Sequence, residues 1–195
     1  MTSNAQVPAG QWSWSDPGIR TFLLIWIGQV VSLVGSGLTS FVLGVWVYQN
    51  TGSATQFALI FASATIPGVL IAPLAGEVVD RHDRRRVMIA ADCGAALSTI
   101  VVFLLFFSGR LEVWHIYLTT AASALCGAFQ GPAYAASIPL LVPREQLGRV
   151  NGLVMVERSA GIIAPALAAA LIATVGVSGV IAIDFATVLF ATGTL

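Results

Sequence analysis

From Thr21 to Gly76 the chain carries no Asp, Glu, Lys or Arg. One bilayer crossing needs about 20 mostly apolar residues, so this stretch is too long for one span and suits two. Gln49-Asn50-Thr51-Gly52-Ser53 is polar and supplies the turn between them. The first span is then expected over 21–48 and the second over 55–78. A charged cluster from Glu77 to Arg86 precedes a third span over 87–108. The turn Ser108-Gly109-Arg110-Leu111-Glu112 leads to a fourth over 115–141. Pro143 opens another polar loop, a fifth span covers 149–173, and Gly176 to Ser178 marks a tight turn. A sixth begins near Val177 and is still apolar at Leu195. The expected fold is all-α, a polytopic membrane bundle of about six transmembrane helices over 20–195, with residues 1–19 as a polar tail.

Composition agrees with a lipid solvent. Hydrophobic residues make up 57% of the chain and charged residues 9%, with a mean hydropathy of +0.88. Soluble domains are about a quarter charged, so a water-facing surface cannot be assembled from this set. A net charge of zero gives no field that would attract nucleic acid. Cys93 and Cys126 lie in apolar runs and read as small buried hydrophobes. No CxxC, HExxH or Cys/His cluster occurs, so neither a metal nor a cofactor is expected. Without a nucleophile–base pair or phosphate loop, neither is an enzyme. His82 and His115 flank charged or loop residues and read as interfacial bystanders. Residues 1–19 lack the cleavage site of a signal peptide, and Trp12 and Trp14 suit the headgroup region.

The arginines fix an orientation. With the N-terminus inside, the inner segments hold Arg20, Arg81, Arg84, Arg85, Arg86, Arg144 and Arg149. The outer loops hold only Arg110, and Arg158 lies within a span. That asymmetry is the positive-inside pattern, and it puts both termini in the cytoplasm. Small residues recur four apart: Ser32, Ser36, Ser40 and Gly44 in the first span, Ala64, Gly68, Ala72 and Gly76 in the second, and Gly127, Gly131 and Ala135 in the fourth. Such stripes let helix backbones approach closely in lipid.

The loop after the second span reads Gly76-Glu77-Val78-Val79-Asp80-Arg81-His82-Asp83-Arg84-Arg85-Arg86. It resembles the major facilitator signature G-x-x-x-D-R-x-x-R-R between helices two and three, with Gly76, Asp80, Arg81, Arg84 and Arg85 on its positions. A plain arginine anchor would explain the arginines, but not the spaced Gly and Asp. In that family the motif is a gating latch. Gly76 would allow close approach, Asp80 would face a helix N-terminus, and Arg81 and Arg84 would pair with carboxylates across the cytoplasmic face. Downstream, 129–133 and 142–152 look like the fourth helix and following loop of the bacterial macrolide-efflux and siderophore-exporter branch. Gly161-Ile162-Ile163-Ala164-Pro165 is similar to the antiporter motif G-x-x-x-G-P, with Ala164 replacing the second Gly. A simple packing kink at Pro165 is the alternative.

Ionisable groups inside a membrane are costly and suggest function. Asp92, Glu157, Arg158 and Asp184 fall within spans. They are candidates for proton coupling, since a carboxylate taken out of water holds a proton more readily. They are equally candidates for interhelical pairing, for example Arg158 with Asp92 or Asp184. Asp92, nearest the arginine cluster, is the one most readily explained as structural. Trp26, Gln29 and Gln130 are candidate cavity-lining groups. Two departures from the family's multidrug antiporters stand out: the first span has Gln29 where they carry an acid, and the fourth span has no Arg.

The resemblance implies a secondary active transporter in the cell inner membrane. Its expected activity is proton-coupled efflux of a small amphipathic compound, drug-like or siderophore-like. Nutrient or lipid transport by the same superfamily is an alternative, as is a transport-inactive truncated fragment or assembly subunit. The expected partners are the lipid bilayer, a small-molecule substrate and protons. Family members have two six-helix halves with the substrate between them. This chain matches the first, so a C-terminal half or partner bundle is expected to complete the cycle.

Overall fold

Asp16 begins the first helix by accepting the Gly18 N–H at 2.9 Å, and Pro17 fills the first turn, where its missing N–H costs nothing. The computed structural model describes residues 16–194, so the expectation for Trp12 and Trp14, and most of the tail, lies outside the described residues. Helix α1 spans Pro17–Thr51. It ends at Gly52, whose φ of 65° is the left-handed value that glycine adopts without steric cost; the Gly52 N–H bonds back to the Tyr48 carbonyl at 2.8 Å. Ser53 then caps α2 (Ala54–Arg81) by accepting the Gln56 N–H. Asp83 caps α3 (Arg84–Phe107) by accepting the Arg86 N–H at 3.0 Å. Helix α4 spans Val113–Leu141, and a single 3₁₀ turn at Arg144–Gln146 leads into α5 (Leu147–Thr194).

Helix α5 is two helices. Gly176 has φ 68° and ψ 179°, outside the helical region, and divides it into a first arm (147–175) and a second arm (177–194). The contacts to α1 show that the chain reverses there. Trp26, Leu33 and Gly37 of α1 meet Leu153, Gly161 and Ala164 in the same order, so the first arm runs parallel to α1. Gly28 and Gly35 meet Thr194 and Thr187 in the opposite order, so the second arm runs antiparallel. The six helical segments are therefore those expected from the sequence, with ends shifted by a few residues.

Four stretches, Pro17–Thr51, Ala54–Arg81, Arg84–Phe107 and Arg144–Thr194, are long and apolar enough to cross a membrane. Even the shortest, α3 with 24 residues, rises about 36 Å, more than the ~30 Å hydrocarbon layer. Helix α4 is not among these four; Thr119, Thr120, Ser123, Gln130 and Ser137 interrupt its apolar run. Helices satisfy every interior backbone group within themselves, as lipid requires. The outer surface is apolar to match: Ile162 is 80% exposed and Leu70 74%.

Helix α1 packs against both arms of α5, α2 runs beside α4, and α3 bridges α4 and the second arm. Two apolar clusters form near the ends of the bundle. One gathers Phe22, Ile25, Val79, Met88, Tyr134, Ile138 and Val150; the other gathers Leu43, Val47, Ile60, Val102, Ile116 and Ile181. The first end holds the α2–α3 and α4–α5 links and the seven clustered arginines, and the opposite end holds Arg110. Cys93 corrects its expectation: it is exposed, while Cys126 is half-buried. An apolar neighbourhood in sequence does not distinguish a lipid-facing position from a core one. The small-residue stripes are also partly corrected. Gly68 lies against Ala124 and Gly44 against Phe57, but a side chain at Gly76, Gly127 or Gly131 would meet nothing within 4 Å.

Candidate functional site

Between the two apolar clusters lies a cavity of about 280 Å³, walled by α1, α3, α4 and both arms of α5. Its lining is polar. Ser32, Ser36, Thr39 and Ser40 come from α1, Ser98 and Thr99 from α3, and Thr119, Thr120 and Ser123 from α4. Helical periodicity puts residues three and four apart on one side, so the serine stripe of α1 faces this cavity and not a packed helix.

Three carboxylates reach the cavity: Asp92, Glu157 and Asp184. Asp92 is 2% exposed, and its Oδ1 accepts the Gln130 carboxamide. The same Gln130 Nε2 donates to Gln29 Oε1 at 2.8 Å, so the two glutamines and Asp92 form one chain across α1, α4 and α3. Asp92 Oδ2 and Gln29 Nε2 are buried without a hydrogen-bond partner. Glu157 accepts the Tyr134 hydroxyl at 3.2 Å. Asp184, 1% exposed, accepts Ser36 Oγ at 3.2 Å on Oδ1 and Thr99 Oγ1 at 3.3 Å on Oδ2.

Among the described residues no ion pair joins two helices at this site. The partners of Asp92 and Asp184 are neutral, and Arg158 is exposed beside Glu157. Among the described residues the ion pair formed is Arg81 with Glu77, 2.7 Å apart and one helical turn away on α2. Gln29 and Gln130 line the cavity, whereas Trp26 does not: its indole N–H donates to the Leu153 carbonyl at 3.0 Å and ties α1 to the first arm of α5. Gly161 and Ala164 face α1 at Leu33 and Gly37, and Pro165 is exposed. Helical geometry continues through Pro165; the break is at Gly176.

The loop motif sits at the arginine-rich end. Asp80 is exposed and, among the described residues, makes no hydrogen bond or ion pair; open space lies beside Gly76. Arg84 is half-buried with its Nε unpartnered, and with Arg85 it lines a groove of about 440 Å³ between α1, α3 and α4. Arg84, Arg85 and Arg86 occupy the first turn of α3, where the helix dipole disfavours positive charge. The Asp83 cap offsets part of that cost.

A profile of the transmembrane secretion effector family, a branch of the major facilitator transporters, matches residues 12–195. The chain belongs to that family. Macrolide efflux protein A of Streptococcus pyogenes is 35% identical over 164 residues, covering 84% of this chain and 40% of the relative. Macrolide efflux protein A of Enterococcus faecalis is 37% identical over 120 residues, covering 61% and 37%. The multidrug efflux pump Tap of Mycobacterium tuberculosis is 33% identical over 163 residues, covering 78% and 38%. The chain thus spans about two fifths of the length of the curated relatives it matches. No solved structure matches it. Within this family the chain is a multi-pass membrane bundle of the transporter class.

The residues that complete the Asp184 site, Ser36, Thr39 and Thr99, were not singled out as a site from sequence. A hydroxyl in a membrane helix usually bonds its own helix four residues back, as Ser98 does to the Gly94 carbonyl. The signal available was Asp184 itself, which needs partners wherever it is buried.

Proposed function

We propose that this bundle is one half of a proton-coupled exporter of small amphipathic compounds, with Asp92 as the group that carries the proton. The observation that carries the reading is the state of the Asp92 carboxylate. It is buried, its only hydrogen bond is to a neutral carboxamide, and its Oδ2 has no partner. A buried charge left in this way is costly, and a proton on Oδ2 removes the cost. The glutamines can answer that change. With Asp92 ionised, Gln130 spends both N–H groups on Asp92 and Gln29. With Asp92 protonated, a rotated Gln130 carboxamide accepts from the acid. Gln29 Nε2, now unpartnered, then has the Gln130 or a substrate oxygen to donate to. Protonation is in this way coupled to the hydrogen-bonding pattern of the cavity wall.

The hydroxyl lining with Leu33 and Leu43 among it suits a ligand with both polar and apolar parts. The printed names of the relatives, macrolide and multidrug efflux proteins, support the same class. A second six-helix bundle supplies the opposite wall, and the open surroundings of Gly76 and Asp80 are left for it. The arginine-rich end faces the cytoplasm, in the cell membrane.

The test is transport by the chain joined to the second half found in its full-length relatives. In everted vesicles, a proton gradient drives accumulation of a fluorescent amphipathic cation or a macrolide, and Asp92→Asn abolishes the gradient-driven part. Export that survives Asp92→Asn, or that ignores the proton gradient, overturns the reading.

A further inference from the structure

Asp184 is built differently from Asp92. Both of its oxygens face hydroxyls, from Ser36 on α1 and Thr99 on α3. A third hydroxyl, Thr39 Oγ1, lies beside the carboxylate from α1. Thr39 is 7% exposed, and its hydroxyl lies within reach of the Asp184 carboxylate without meeting good hydrogen-bond geometry. All of these residues line the central cavity. No basic side chain pairs with the carboxylate among the described residues, so its charge is uncompensated in the middle of the bundle.

The spacing is informative. Hydroxyls donating to a carboxylate close to about 2.5–2.7 Å, yet these two stand at 3.2 and 3.3 Å. As hydrogen bonds they are long. As neighbouring ligands of one ion they have a compatible spacing: an ion that binds oxygen at about 2.3–2.4 Å with right-angled ligands holds those oxygens roughly 3.3 Å apart. That radius fits Ca²⁺ and the nearly equal-sized Na⁺. Mg²⁺ would draw the oxygens closer, and K⁺ would spread them. Divalent sites are assembled from several charged oxygens, and among the described residues no group of three His, Cys, Asp or Glu comes together. One carboxylate with neutral hydroxyls balances a single positive charge.

We propose that the Asp184 carboxylate and the hydroxyls of Ser36, Thr39 and Thr99 form a sodium-binding site at the junction of α1, α3 and the second arm of α5. The donors are all oxygen, which suits a hard cation. Water from the cavity completes the coordination shell. A bound ion neutralises Asp184 and clamps three helices together, giving the Thr39 hydroxyl a well-aligned partner.

The test is thermal unfolding of the purified full chain in detergent, in NaCl against KCl and choline chloride at equal ionic strength. At sodium about tenfold above its dissociation constant, the midpoint rises by roughly 3–6 °C over the other salts. Thr39→Val and Asp184→Asn remove the sodium-specific rise, and Thr39→Ser keeps it. Should Asp184→Asn fail to fold, the Thr39→Val and Thr39→Ser pair decides the matter, with radioactive sodium binding as a second readout. Equal midpoints in all three salts overturn the proposal, as does a sodium effect that persists in Thr39→Val. The measurement involves no transport, so it stands or falls separately from proton-coupled export through Asp92.

Discussion

Gly35 on α1 faces Asp184 on the second arm of α5 so closely that a methyl group at position 35 would lie 3.0 Å from the carboxylate oxygen, and nearer still to the Thr187 hydroxyl. Contacts this tight force the arm outward. Gly35→Ala is expected to destabilise the bundle by about 1–3 kcal/mol, read as a lower unfolding midpoint in detergent. Gly131→Ala is the control: its new methyl group meets open space, and alanine gains up to about 1 kcal/mol of helix propensity. Equal losses in the two variants would show that the second arm is not held against α1 at Gly35.

Asp92→Asn should leave the fold intact. An Asn side-chain oxygen accepts the Gln130 amide as the carboxylate does, and the buried charge is gone. The unfolding midpoint is expected to match or exceed that of the parent chain, so any lost export comes from lost proton chemistry. A midpoint lowered by several degrees would mean that the charge is needed for packing.

Trp26 joins α1 to α5 through one hydrogen bond at 3.0 Å to the Leu153 carbonyl. Trp26→Phe keeps an aromatic ring in the cluster around Phe22 and Tyr134 and removes the donor. The expected cost is about 1 kcal/mol, measured by the same unfolding assay. A cost near zero would assign the role of Trp26 to ring packing alone.

Asp80 has no partner among the described residues, so Asp80→Asn should shift the stability of this bundle by no more than about 0.5 kcal/mol. In the protein completed by its second half, the same change is expected to raise labelling of cysteines placed along the cytoplasmic side of the cavity. Unchanged labelling and unchanged transport would count against a latch at this position.

The arginine-rich end is expected inside the cell. With Cys93 and Cys126 replaced by serine, a cysteine at His82 should resist a membrane-impermeant maleimide in intact cells, and one at Gly109 should react. The reverse result would invert the bundle.

The spans were legible because hydropathy and polar turns are local. Gln49–Ser53 contains the link at Gly52 and Ser53, and Gly176 is where α5 breaks. Asp92 and Asp184 stood out because charge is rare in an apolar run. What faces what was not legible. Ser32, Ser36 and Ser40 have the spacing of a packing stripe, yet they line the cavity. Gly28, Gly35 and Gly37, which have no such regular spacing, make the close approaches to α5. Cys93 and Trp26 were misplaced for a related reason: in lipid both the interior and the exterior of a bundle are apolar, so composition loses the contrast that marks inside from outside in water.

Gly176 joins the two arms of α5 with a single non-helical residue, and both arms lie along α1. A hinge so short has no slack to take up. Neither arm can slide without dragging the other and α1 with it, so this trio travels as a rigid block. Any rocking movement must find its play elsewhere, at the sparse contact between α2 and α3 or along the seam with a second bundle.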